Sequence, residues 1–236
     1  LVVINRMNFF SCNALSEVAI PAGVRYIGEN SFRFCDALRK ITFEGVCPLI
    51  DKGCFSLIAE DAVAYVPDDE LEAYTEAFER AGIEVPVQPS GKNAVVVENN
   101  GFAEEDFEFD PATGTITSYN GFATYLAIPE TIGGAAVKAI GPKAFAQHTY
   151  IALAELPEGL ETIGDNAFYN CETLARIVFP STLKSIGDYA FYNAYRSNVL
   201  ELPSVEYIGA YAFYAIGVTD ALELPEGLKT IGDSAF

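Results

Sequence analysis

A single imidazole limits the chemistry open to this chain. His148 is the only histidine among 236 residues, so a Ser–His or Cys–His nucleophilic arrangement has one possible general base. It follows Phe145 by three residues, the position that Cys171 and Ile216 hold after Phe168 and Phe213. A side chain filling a turn accounts for it better than catalysis. The five cysteines, an odd number, make no disulfide framework for a chain of this size. Cys12, Cys35 and Cys171 share one spacing position and suit small buried thiols, with a Cys12–Cys35 bridge as the alternative. Cys47 and Cys54 lie seven residues apart with no histidine near them, which is no zinc set. The pair Gly133-Gly134 lacks the lysine of a phosphate loop. Among 33 acidic residues a carboxylate pair at glycosidase spacing arises by chance, and it means little without a cleft. Asp165, Asp188 and Asp233 recur, but one carboxylate per repeat supplies too few oxygens for calcium. These residues imply no enzyme, no metal and no cofactor.

The charge balance narrows the partners. Fourteen basic residues against 33 acidic ones give a net charge of −19, which offers no stripe for a phosphate backbone, so nucleic acid is excluded as a partner. An anionic bilayer repels the same surface. Half the residues are hydrophobic, enough for a packed core, and no uninterrupted apolar run is long enough to span a membrane. No signal peptide is in view, and Leu1 and Phe236 both fall inside a repeat. The chain is therefore expected to be a fragment of a longer protein.

The elements that must position these groups are repeats. Phe9, Phe32 and Phe55 are 23 residues apart, and Phe145, Phe168, Phe191, Phe213 and Phe236 follow at spacings of 23, 23, 22 and 23. An Ile stands five before most of these, at 27, 140, 163, 186, 208 and 231, usually with a glycine next. Eleven residues after the Phe comes an apolar residue and then proline, as in Phe179-Pro180 and Leu202-Pro203. Between them a short alternating segment such as Leu174, Ile177 and Phe179 reads as a strand that the proline closes. One such unit cannot bury its own apolar face, whereas stacked units can. The glycine is expected to serve a backbone conformation that a Cβ penalises, and the following Asp to cap a short helical turn.

The regular spacing stops after Pro67. The stretch DDELEAYTEAFERAG has an acidic start, apolar Leu71, Tyr74 and Phe78, and a closing Gly82. It predicts one capping helix over about 68–82, with Asp68 as its cap. QPSGKN at 88–93 reads as a linker. FEFDPATGTITSYNG reads as a hairpin about a DPATG turn. Three segments follow: 1–87, the end of a first array with its capping helix; 88–94, a linker; and 95–236, a second array with a hairpin cap, truncated at its C-terminal end.

The string LxxIxFPxxLxxIGxxAFxxC, as it runs from Leu174 to Phe191, resembles the BspA-like leucine-rich repeat of bacterial cell-surface proteins over about 1–67 and 120–236. Asp51 at a glycine position and five extra residues between Pro129 and Ile140 depart from the pattern. The resemblance implies a repeat solenoid of leucine-rich-repeat type, mostly β and irregular, with one short parallel strand per unit of 22–23 residues. It also implies an extracellular or cell-surface location.

A solenoid offers a repeated face. Residues flanking the inward strand positions point outward. In the second array these are Leu153 and Glu155, Arg176 and Val178, Val199 and Glu201, Ala221 and Glu223. In the first they are Glu17 and Ala19, Lys40 and Thr42, Val63 and Tyr65. The second-array set is the candidate ligand face, and a solvated sheet face is its alternative. Tyr169, Tyr192 and Tyr214, with Tyr189 and Tyr211, form a rival stripe. Phenol rings there can stack on sugars or protein, or lean over neighbouring rungs and seal the core. The expected function is a non-catalytic cell-surface binding or adhesion module for a protein or glycan ligand. A structural spacer, or an accessory region of a larger secreted enzyme, is the alternative.

Overall fold

Each recurring isoleucine pairs with its equivalent one rung away. The computed structural model describes residues 3–96, 103–194, 200–216 and 222–236. Contacts divide the chain into two units, Leu1–Asn99 and Asn100–Phe236. The first holds β1 (Val3–Ile4), β2 (Glu17–Ile20), β3 (Tyr26–Ile27), β4 (Lys40–Phe43), β5 (Leu49–Ile50), β6 (Val63–Val66), α1 (Leu71–Arg80) and β7 (Val87–Pro89). Ile4, Ile27 and Ile50 stand in register across the parallel sheet β1-β3-β5. A second parallel sheet runs β2-β4-β6-β7.

The second unit repeats this plan. It holds β8 (Phe107–Asp110), β9 (Thr115–Tyr119), β10 (Tyr125–Ala127), β11 (Thr131–Ile132), β12 (Ala135–Ala136) and β13 (Ala139–Ile140). The rungs continue with β14 (Leu153–Glu155), β15 (Thr162–Ile163), β16 (Arg176–Val178), β17 (Ser185–Ile186), β18 (Tyr207–Ile208) and β19 (Thr230–Ile231). One sheet is β10-β14-β16. The other runs β8-β9-β13-β15-β17-β18-β19, with the β8–β9 hairpin antiparallel at its start and parallel pairs thereafter. Besides the expected strand, found at β10, β14 and β16, the rungs carry a second one of two residues at the isoleucine before the glycine, β13, β15, β17, β18 and β19. The expected strand is not formed by the described residues 200–202 and 222–224 before Pro203 and Pro225. The five extra residues after Pro129 form the small hairpin β11–β12, turned by Gly133 and Gly134 at φ 58° and 82°. Positive φ at both positions is the signature of a tight hairpin turn.

The phenylalanines are the core. Phe145, Phe168, Phe191 and Phe213 are fully buried, and successive rings stack with centroids 4.9, 5.1 and 5.2 Å apart. In the first unit Phe9, Phe32 and Phe55 stack at 4.8 and 5.1 Å. Offset stacks of this kind add about 0.5–1.5 kcal/mol to the gain from burial itself.

The turns that carry these rings form a ladder of their own. The amides of Asn166, Phe168 and Asn170 donate to the carbonyls of Asp188, Ala190 and Tyr192 one rung on. Asn166 and Asn170, on either side of Phe168, both lie at φ 57°, and every second N–H of this turn donates along the solenoid. Two sequence expectations are corrected here. Gly187 and Gly209 are not left-handed residues. They are required by close approach: a Cβ would fall 2.4 Å from Asp165 Oδ1 and 2.5 Å from the Asp188 nitrogen respectively. The aspartates do not cap their own turns either. Asp165 Oδ1 accepts the Asp188 N–H at 2.9 Å, and Asp188 Oδ1 accepts the Ala210 N–H at 2.7 Å. Each carboxylate ties its rung to the next.

The predicted helix is present as a 3₁₀ turn, Asp68–Glu70, leading into α1. Its apolar stripe buries Tyr74, Ala77 and Phe78, with the Tyr74 ring 4.7 Å from that of Phe43. Gly82 ends it at φ 64°, and the Ile83 N–H reaches back to the Phe78 carbonyl at 2.8 Å. Asp68 makes no cap. Its Oδ1 accepts the Gly91 N–H at 2.8 Å, and Asp69 Oδ1 accepts the Ala94 N–H at 2.7 Å. Residues 88–93 are consequently no free linker: β7 extends the β2-β4-β6 sheet, and the chain after it is pinned to the first unit.

Candidate functional site

The strand face of the second unit is less open than its sequence implies. Tyr125, Leu153 and Arg176 stand in register on β10, β14 and β16, opposite in direction to the core residues Leu126, Ala154 and Ile177. Leu153 is nevertheless 0 % exposed and Arg176 8 %. The cause is lateral. Parallel neighbours stand about 4.8 Å apart, so Tyr125 and the stem of Arg176 flank Leu153 on both sides. The Tyr125 hydroxyl donates to Glu155 Oε2 at 2.8 Å, and Arg176 Nη2 donates to Glu201 Oε2 at 3.1 Å. The expectation that Leu153 and Arg176 are exposed is therefore corrected. Glu155 and Val178 are half-buried, while Glu201 and Glu223 are exposed. Val199 and Ala221 lie outside the described residues.

The tyrosine stripe spends its ring faces on itself. Tyr169, Tyr192 and Tyr214 stack at 5.3 and 5.1 Å, and Tyr189 stacks on Tyr211 at 4.9 Å. Tyr192 is stacked on both faces, and each of the other four gives one face to its neighbour in the stack.

His148 is packed against aromatic rings, 5.3 Å from the centroid of Tyr119 and 6.4 Å from that of Phe145. Burial lowers its pKa, so the neutral imidazole is favoured. All five cysteines are free thiols. Cys171 Sγ donates to the Phe145 carbonyl at 3.0 Å, and Cys35 Sγ donates to that of Phe9 at 3.1 Å. The shared position of these cysteines thus has a physical role, tying each thiol to the preceding rung. Burial pushes the Cys171 thiol up to about 12, which leaves it neutral and a poor nucleophile. Among the described residues no group of three His, Cys, Asp or Glu side chains could hold a metal ion.

The first unit carries a concavity on its strand face. Lys40 and Thr42 on β4 and Tyr65 on β6 form its floor, and Ser90, Lys92, Asn93 and Val95 of the returning chain form its wall. The space is about 680 Å³, within the roughly 300–1,000 Å³ of small-ligand sites. Hydrogen bonds along its length hold the wall, beginning with the Ser90 N–H, which donates to the Val66 carbonyl at 2.8 Å. Besides the Asp68 and Asp69 contacts, the Asp68 N–H donates to the Lys92 carbonyl and the Val95 N–H to the Glu44 carbonyl, each at 2.8 Å. The Lys40 ammonium lies 6.0 Å from the Tyr65 ring centroid. Sequence reasoning placed Lys40, Thr42 and Tyr65 on this face but missed Ser90, Lys92 and Asn93. Their composition read as a linker, and the aspartates that pin them read as helix signals.

These rungs correspond to a known repeat. The BspA-type leucine-rich-repeat region matches residues 1–104 and 124–236, in six copies. The chain belongs to that family. Its solved relatives include a leucine-rich-repeat protein of T. pallidum, 28 % identical over 57 % of this chain and 65 % of that one, with a TM-score of 0.52. The pneumococcal vaccine antigen PcpA is 22 % identical over 98 % of this chain and 58 % of that one, at a TM-score of 0.42. A leucine-rich cell surface protein of Faecalibacterium prausnitzii is 20 % identical over 100 % of this chain and 60 % of that one, at 0.36. The chain thus spans about two thirds or less of the length of these three relatives. No curated protein matches it. In this BspA-type chain the β8–β9 hairpin lies between the two matched stretches, and the Lys40–Lys92 pocket lies within the first. The chain is a repeat module, of binding or structural kind.

Proposed function

We propose that this chain is a non-catalytic cell-surface module that binds a protein or glycan through the strand faces of its solenoid, chiefly through the Lys40–Lys92 pocket. One observation carries the reading: a walled concavity holding two cations that have no ion-pair partner among the described residues, on a chain of net charge −19. Surface location accords with the description of the F. prausnitzii relative as a cell surface protein. The residues of the second-unit face that remain accessible, Glu155, Val178, Glu201 and Glu223, serve as an auxiliary surface.

A binding panel of matrix proteins and glycans at about 0.15 M salt tests this. The comparison pairs Lys40→Glu/Lys92→Glu with Arg176→Glu/Val178→Asp. Loss of a specific ligand in the first variant alone supports the pocket. Loss in the second alone moves recognition to the second unit. Retention in both excludes the strand faces.

A structural-spacer reading draws on a different observation. Lys184 Nζ meets Glu161 Oε2 at 2.8 Å and Lys229 Nζ meets Glu206 Oε2 at 2.6 Å, each pair spanning one rung. Such rung-to-rung ties suit a stiff support. A chain that binds nothing in the panel while keeping its fold favours that role.

A further inference from the structure

Resting on the reading above, we infer that the Lys40–Lys92 pocket takes the carboxylate-bearing ring of an acidic sugar, a uronic-acid-type residue of a polysaccharide. Lys40 and Lys92 are both exposed, line one concavity, and form no ion pair among the described residues. Two lysines lining one space suit a carboxylate, which accepts a charge-assisted hydrogen bond at each oxygen. The half-buried Tyr65 ring beside Lys40 supplies an apolar plate with a polar tip, the kind of surface on which a pyranose rests. Thr42 and Asn93 offer hydroxyl and amide groups for ring hydroxyls, and the exposed carboxylate of Glu44 accepts from another.

The geometry favours a sugar over an acidic peptide. A peptide strand docks by pairing with an open sheet edge; β7 takes the edge of β6 beside the pocket, so strand addition is left to β7 itself and not to the strands β4 and β6 that carry Lys40, Thr42 and Tyr65. The wall is fixed along its length by backbone and carboxylate bonds, so the concavity is bounded. The Glu44 carboxylate in the lining repels a polyanion of dense charge but bonds a hydroxyl-rich ring carrying one carboxylate.

The test uses the whole chain and calorimetric titration with trigalacturonate, a glucuronate-containing oligosaccharide and a sialylated oligosaccharide. The methyl ester of trigalacturonate and a poly-glutamate peptide are the comparisons. At least one acidic sugar should bind, with the esterified probe weaker by about tenfold or more. Lys40→Gln/Lys92→Gln should lose at least about tenfold with an unchanged denaturation midpoint, and Lys138→Gln/Lys143→Gln, which removes two exposed lysines outside the pocket and the strand face, should bind as the parent does. Affinity should fall between about 0.05 M and about 0.3 M salt. Binding that ignores the ester, ignores the lysines, or is matched by poly-glutamate overturns the inference, as does silence toward all three acidic sugars. If a neutral glycan or a protein instead requires Lys40 and Lys92, the surface-module reading stands and the acidic-sugar assignment falls.

Discussion

Phe168 and Phe191 stack face to face across two rungs, with ring centroids 5.1 Å apart and planes 8° from parallel. Both are fully buried, so neither has water to replace a lost partner. Phe168→Ala or Phe191→Ala should cost about 3–5 kcal/mol, as buried aromatic truncations do. Urea melts followed by circular dichroism measure this, and a loss below about 0.5 kcal/mol would remove the phenylalanines from the core.

Asp188 bonds the Ala210 N–H while Gly209, between them in sequence, has no room for a side chain. Asp188→Ala should cost about 1 kcal/mol for the lost hydrogen bond. Asp188→Asn, which keeps an acceptor oxygen, should recover much of it. Gly209→Ala should cost more, about 1–3 kcal/mol, because its new Cβ meets backbone rather than a movable side chain. If Gly209→Ala melts like the parent, close approach is not why glycine stands there.

Cys171 gives a pH signature. Its folded thiol is raised from 9.0 to about 12, by burial above all. Above pH 9 the thiol of the unfolded chain ionises while the folded one stays neutral, which favours unfolding. The contribution is thus complete below about pH 9 and lost as the pH rises toward about 12. The stability gap between the parent and Cys171→Ala should narrow from about pH 8 to about pH 10.5 in paired denaturant melts. A gap that widens would mean that the thiolate is the form the fold prefers.

Tyr74 anchors the capping helix, its hydroxyl donating to the Gly45 carbonyl at 3.1 Å and its ring against Phe43. Tyr74→Phe should cost about 1 kcal/mol. Tyr74→Ala should cost about 3–5 kcal/mol. Because α1 follows directly on Asp68 and Asp69, which pin residues 91–94, Tyr74→Ala should also raise amide hydrogen exchange across the pocket wall. Unchanged exchange at Gly91 and Ala94 would show that the wall holds without the helix.

The ladders were legible because a solenoid makes its main contacts one repeat away. A Phe every 22–23 residues predicts which ring meets which, and the sheet register Ile140↔Ile163↔Ile186↔Ile208 follows from the same count. Leu153 was misplaced because period-2 alternation tells which face a side chain leaves by, not what stands beside it. Its exposure is set by Tyr125 and Arg176, on strands 28 residues before and 23 after in the pairing register.

The amino-acid sequence by itself determined the repeat, the core and the capping helix, since each rests on side-chain spacing read against a neighbouring copy of the same pattern. Only the tertiary structure decided the pocket. Lys40 and Lys92 are 52 residues apart and share no repeat position. What brings them together is the β6–β7 pairing and two carboxylate-to-backbone bonds from Asp68 and Asp69. Bonds to backbone amides accept any residue at the donor position, so they leave no mark in the sequence, and a segment held by them reads as a linker until its partners are seen.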